Sequence, residues 1–116
     1  MLKIEFRGDA ELTIHEIVFE ERYSQLSAFF ASYVQRSFTS ADRLAKQLRG
    51  IIAGTEPPLA DATGNAWTMD IDANVAHLAC YFATPHQFVE VPTAWLADAL
   101  ERWRDHLIAK KKVKVK

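Results

Sequence analysis

Leu2, Ile4 and Phe6 alternate with Lys3, Glu5 and Arg7, which is the period of a strand with one buried face. Gly8-Asp9 follows with turn chemistry, since glycine tolerates positive φ and aspartate bonds its own backbone. Leu12 and Ile14 then alternate with Glu11, Thr13 and His15, so the chain is expected to open with a β-hairpin. Ile14, Ile17 and Val18 also fit helical spacing, which leaves the strand-to-helix boundary open over several residues. From Phe19 the step becomes three or four. Phe19, Tyr23, Leu26, Phe30, Tyr33 and Val34 form one stripe, widened by Phe29, and predict a first helix that ends at Phe38-Thr39. Ser40 then reads as the N-cap of a second helix whose apolar face is Leu44, Leu48, Ile51 and Ile52, with Gly54 as its terminator.

Residues 55–66 read as irregular, because Pro57-Pro58 donates no hydrogen bonds and favours extended backbone. Trp67, Met69 and Ile71 alternate again, Asp72-Ala73-Asn74 makes a turn, and Val75 to Phe82 is apolar enough for a central strand covered on both faces. Phe88-Val89-Glu90-Val91 predicts a further short strand. Pro92-Thr93 leads into a last helix, capped by Thr93, with Trp95, Leu96, Ala99, Leu100, Trp103 and Leu107 inward. The order ββααβββα implies a single α+β domain over residues 1–109, an antiparallel sheet of about five strands with three helices on one face. The other face of such a sheet is open to a partner.

Charge changes this picture more than composition does. At 13.2 kDa the chain has room for one domain, and its aromatic content suffices to fill a core. The formal net charge of −1 conceals a division: residues 110–116 hold five of the 14 basic residues and no acid. Nine basic residues then stand against fifteen acidic ones, a net −6 over residues 1–109. An acidic body disfavours nucleic-acid binding, which needs a basic face, and favours rapid association with a cationic partner. Residues 110–116 read as a solvated, disordered basic tail. No apolar run is long enough to span a bilayer. The N-terminus does not read as a secretory signal, and the single Cys80 suits a reducing compartment.

Candidate chemistry is sparse. Asp70 and Asp72 lie two apart, a spacing that on a strand puts both carboxylates on one face, where they could bind a metal or divide acid and base roles with a histidine. Beside Asn74 the same pair reads as turn chemistry. His15, His77, His86 and His106 lack the tight spacing of zinc ligands. Cys80, three residues from His77, falls on the opposite strand face and reads as a small core residue. The four scattered glycines make no phosphate loop. Glu16, Glu20 and Glu21 gather at the start of the first helix, and Asp61, Asp70 and Asp72 at the later loop and hairpin. Brought together by the fold, they would form an acidic patch for lysine and arginine side chains. Glu16, Glu20, Asp70 and Asp72 are the candidate partner contacts.

Met1-Leu2-Lys3-Ile4-Glu5-Phe6, the hairpin start Gly64-Asn65-Ala66-Trp67, and Val89-Glu90-Val91-Pro92 leading into the Trp95…Trp103-Arg104 helix resemble bacterial immunity proteins, in particular those of contact-dependent growth inhibition systems. The resemblance covers the general layout and the C-terminal third. It implies a cytoplasmic, non-catalytic protein without metal or cofactor that binds a cognate toxin domain, often a nuclease, and blocks its active site or substrate surface. The physics is consistent: a nuclease attracts phosphate with a basic face, and an acidic inhibitor can mimic that charge. Two other classes fit the same residues, a small hydrolytic or metal-assisted enzyme using Asp70, Asp72 and a histidine, and a structural adaptor subunit.

Overall fold

The structure, a computed structural model, describes residues 2–8, 15–64, 66–81 and 86–114, with side chains at 8, 15, 16 and 110–114 left aside. Strand β1 (Ile4–Gly8) pairs antiparallel with β2 (His15–Phe19), Phe6 opposite Ile17. The expected hairpin is present, but its second strand begins where the sequence alternation of Leu12 and Ile14 ends; those two positions lie outside the described residues. Phe19 closes β2 rather than opening a helix. The apolar stripe that follows is carried by three kinds of turn: a 3-10 turn at Glu21–Tyr23, the short helix α1 (Gln25–Phe29), and a π-helical turn at Phe30–Val34. The wider last turn lets the adjacent Phe29 and Phe30 both point inward, fully buried.

That segment ends at Gln35, whose φ of +59° and ψ of −158° are rare for a residue with a side chain and cost about 1–3 kcal/mol. Burial of Phe30 and Val34, at about 1.5–3 kcal/mol each, outweighs the cost. Trp103 fixes the geometry by donating its indole N–H to the Gln35 carbonyl at 2.9 Å.

Helix α2 (Phe38–Ala53) starts earlier than the sequence suggests. Ser37, not Ser40, is the N-cap: its hydroxyl oxygen accepts from the Ser40 amide at 3.1 Å. Gly54 ends the helix as expected, in the left-handed conformation at φ +82°. The stretch read as irregular contains an edge strand, β3 (Leu59–Gly64). Its pairing to β4 (Trp67–Ile71) is interrupted between Leu59 and Ala62, where Asp61 adopts φ +51°. A bulge of this kind destroys the two-residue alternation that would reveal the strand.

Strands β5 (Val75–Cys80) and β6 (Gln87–Pro92) complete an antiparallel sheet of order β3-β4-β5-β6. The architecture is therefore α+β with two antiparallel sheets of two and four strands, not one sheet of about five. β5 is buried on one face only: Ala76, Leu78 and Cys80 point inward, while His77 is exposed and Val75 and Ala79 are half-covered. Two of its three outward positions, Val75 and Ala79, are small and apolar, which is why it reads as central in the sequence.

β6 runs straight into α3 (Thr93–Lys114). Leu96, Leu100, Trp103 and Leu107 of α3 are buried in the same core as Trp67, Met69, Ile71 and Val91 of the four-stranded sheet. The α1 segment runs from β6 towards β4: Gln25 Oε1 accepts the Phe88 amide at 3.1 Å, Phe29 meets Trp67 edge-on at 5.3 Å, and the Trp67 indole donates to Ser32 Oγ at 2.7 Å. α2 lies along α3, tied by Arg49 to Glu101 at 2.7 Å and Arg104 to Asp42 at 2.8 Å. Hairpin β1–β2 closes the far end, with Phe6 stacked on His106 and Trp103. α3 includes the backbone through Lys114, so the basic stretch from residue 110 shares an element with the folded body.

Candidate functional site: the open face of the four-stranded sheet

With helices on one side of the four-stranded sheet, alternation turns every second side chain of β4, β5 and β6 to the other side. Two cross-strand rows result. One runs Thr63, Thr68, Ala79 and Phe88, the other Asp70, His77 and Glu90. Asp70, His77 and Glu90 are exposed. His77 Nδ1 lies 3.2 Å from Glu90 Oε2. Tyr81 continues the outward series of β5 just past its end, and His86 and Phe88 that of β6.

The four sequence candidates divide among different tasks. Asp70 stands on the open face, and its Oδ1 accepts the Asp61 amide at 3.0 Å, which satisfies the bulge in β3. Asp72 follows the last residue of β4. It sits in the β4–β5 turn, where Oδ1 accepts from the backbone N–H of Asn74 at 2.7 Å and of Val75 at 2.8 Å. The Val75 and Asn74 amides hold its carboxyl below the usual carboxylate range. Its carbonyl takes the hydroxyl of fully buried Thr93 at 2.7 Å, and the Asn74 carbonyl takes the Thr93 amide at 3.1 Å. The expected capping threonine thus clamps the turn to the start of α3.

Glu20 follows the end of β2, and its Oε1 accepts the Lys3 amide at 3.2 Å. Glu16 lies on β2, opposite Arg7 in the register, with its side chain outside the described residues. Asp70 lies in the four-stranded sheet and Glu16 in the two-stranded one, with Asp72 and Glu20 just past the ends of β4 and β2. Among the described residues no group of three or more histidine, cysteine, aspartate and glutamate side chains is placed to hold a metal ion.

A signal passed over in the sequence organises the surface better than any single acid. Between Arg49 and Arg102 there is no lysine or arginine. All four strands of the larger sheet fall in that interval, and Glu56, Asp61, Asp70, Asp72 and Glu90 within or beside them are exposed. The acids of the helical layer, by contrast, are met by cations. Asp42 contacts Lys46 and Arg104, Glu101 contacts Arg49, Asp98 contacts Arg102, and Asp105 contacts Arg104. Hydrogen bonds from Lys46 and then Arg104 lower the Asp42 pKa, as the Arg49 guanidinium lowers that of Glu101. Among the described residues, acids of the helices are thus paired with lysine or arginine, while those of the sheet have only His77 beside them, at Glu90. No helix among the described residues is long and apolar enough to cross a membrane. Neither a protein-family model, nor a curated protein, nor a solved structure matches the chain.

Proposed function

We propose that this chain is an immunity protein: it neutralises a cognate bacterial toxin in the cytoplasm by stoichiometric binding through an acidic surface, without catalysis and without a cofactor. The observation that carries the reading is the segregation of charge. A four-stranded sheet with no lysine or arginine presents Asp70 and Glu90 on a face turned away from the helices. A toxin that handles phosphates has a basic substrate face, and such a sheet would be drawn to it and cover it. The layout-level resemblance to immunity proteins of contact-dependent growth inhibition points the same way. A catalytic role for Asp70 and Asp72 has less support, since both carboxylates serve backbone amides.

The test starts from the neighbouring gene, expected to encode a large secreted protein that ends in a toxic domain, and uses that domain. Calorimetry is expected to give a one-to-one complex, and toxin activity is expected to fall linearly to zero at one equivalent. Absence of a complex, or inhibition at far below one equivalent, overturns the reading. Assembly of the two chains with toxin activity intact would favour an adaptor instead.

A further inference from the structure

Tyr81 and Phe88 are the large apolar side chains that the described fold leaves most open, 54% and 56% exposed. With His86 they form a cluster of edge-on rings, centroids 5.5 Å apart for Tyr81–His86, 5.6 Å for Tyr81–Phe88 and 6.3 Å for His86–Phe88. A chain that buries Phe29, Phe30 and Trp67 completely leaves these rings in water at the end of the acidic face. Exposed aromatic clusters of this kind mark interaction sites. Beside Phe88 the cross-strand row continues through Ala79 to Thr68 and Thr63, a floor of short side chains. The carboxylate row lies two residues further along each strand, about 7 Å away.

A cation recognised by a ring sits within about 6 Å of its centroid. A cation over Phe88 would therefore be within reach of Glu90, while Asp70 two strands away would meet a second cation of the same segment. The sheet itself supplies no lysine or arginine to that place. A cation–ring contact within the chain lies elsewhere, Arg22 at 5.3 Å from the Tyr23 ring. Guanidinium suits the place better than ammonium. It is planar, stacks on ring faces, sheds water more readily and donates in a fork that fits carboxylates.

We propose that the Tyr81–His86–Phe88 rings and the Asp70–His77–Glu90 row form one docking surface for an arginine-bearing segment of a partner protein, with one guanidinium stacked on the rings and donating to Glu90 and a second cation meeting Asp70. This rests on the protein-binding reading above and names its recognition chemistry. It can be tested without the toxin, using oligo-arginine and oligo-lysine peptides of equal length against the isotopically labelled full chain. The arginine peptide is expected to bind about two- to fivefold more tightly than the lysine peptide, with amide shifts concentrated in residues 75–81 and 86–92.

Phe88→Leu and Tyr81→Leu keep apolar bulk and remove the rings. Because both positions are more than half exposed, the variants are expected to keep the far-ultraviolet circular dichroism of the parent. They should abolish the arginine preference and leave lysine-peptide affinity unchanged. Equal affinity for the two peptides, a preference that survives both substitutions, or shifts centred on the helices overturns the proposal. A toxin complex indifferent to both substitutions overturns this surface and spares the immunity reading. Arginine selectivity on these rings with no toxin complex does the reverse.

Discussion

At the scale of single residues, Asp72 shows how one carboxylate can look like a functional group and serve as a structural one. Two strand positions after Asp70, it invites a paired-acid reading; its Oδ1 instead collects the Asn74 and Val75 amides. The neighbouring Asn74 already hints at this in the sequence. The clamp from Thr93 does not, because its partner lies 21 residues away and only the fold brings them together. The Asp72 pKa is held below the ordinary aspartate value of 3.8, so the charged form binds its turn more tightly than the neutral form. The stabilisation is complete above the unfolded pKa and is lost as pH falls through the lower folded value. Asp72→Asn keeps an acceptor and loses the charge. Its thermal midpoint should lie below the parent's near neutrality, and the two should converge below about pH 3.8, as read by circular dichroism across an acid series. A constant gap at all pH values would refute the charge-based account.

At the scale of elements, legibility depended on whether the hydrophobic period survived the local geometry. β4 and α3 were legible because Trp67, Met69 and Ile71, and then Leu96, Leu100, Trp103 and Leu107, keep an unbroken period and end up buried. The segment from Tyr23 to Val34 keeps its apolar stripe through 3-10, α and π turns. The stripe reports which side is buried, not which hydrogen-bond ladder is made. β3 was hidden by its bulge at Asp61, and its placement depends on a contact far away in sequence. A Cβ added at Gly64 would stand 2.8 Å from Tyr33 Cε2. The Tyr33 ring is stacked flat on Phe29 at 5.0 Å and has little room to yield. Gly64→Ala is therefore expected to cost about 1–3 kcal/mol in urea unfolding. Tyr33→Leu in the same chain should recover part of that loss, since the two residues touch and their effects are not additive. Simple addition of the two losses would mean that Gly64 is needed for another reason.

At the scale of the whole molecule, the net charge says less than its arrangement. The sequence gives away an acidic body, but the candidate acids Glu16, Glu20, Asp70 and Asp72 lie in two sheets or just past their strands, and their spacing along the chain could not reveal that. What does survive translation into three dimensions is the interval without lysine or arginine, because a four-stranded antiparallel sheet built from one continuous interval inherits its composition. The exposed rings were less legible, since Tyr81 and Phe88 sit in apolar runs that read as core. The helical layer is nearly self-neutralised by ion pairs, so the field that a partner meets should come from Asp61, Asp70 and Glu90. Each can lose its charge with little structural loss. Asn tolerates the left-handed conformation at position 61, Asp70→Asn still accepts the Asp61 amide, and Glu90→Gln still reaches His77. The triple variant should associate with the toxin about tenfold more slowly at low ionic strength and dissociate at nearly the parent rate. The difference should fade towards about 1 M salt, where the Debye length falls to about 3 Å. Asp42→Asn and Asp105→Asn, which lie in the compensated helical layer, should leave the association rate where it was. Stopped-flow association across a salt series separates the cases, and equal slowing by both sets of substitutions would mean that total charge, rather than the sheet face, does the steering.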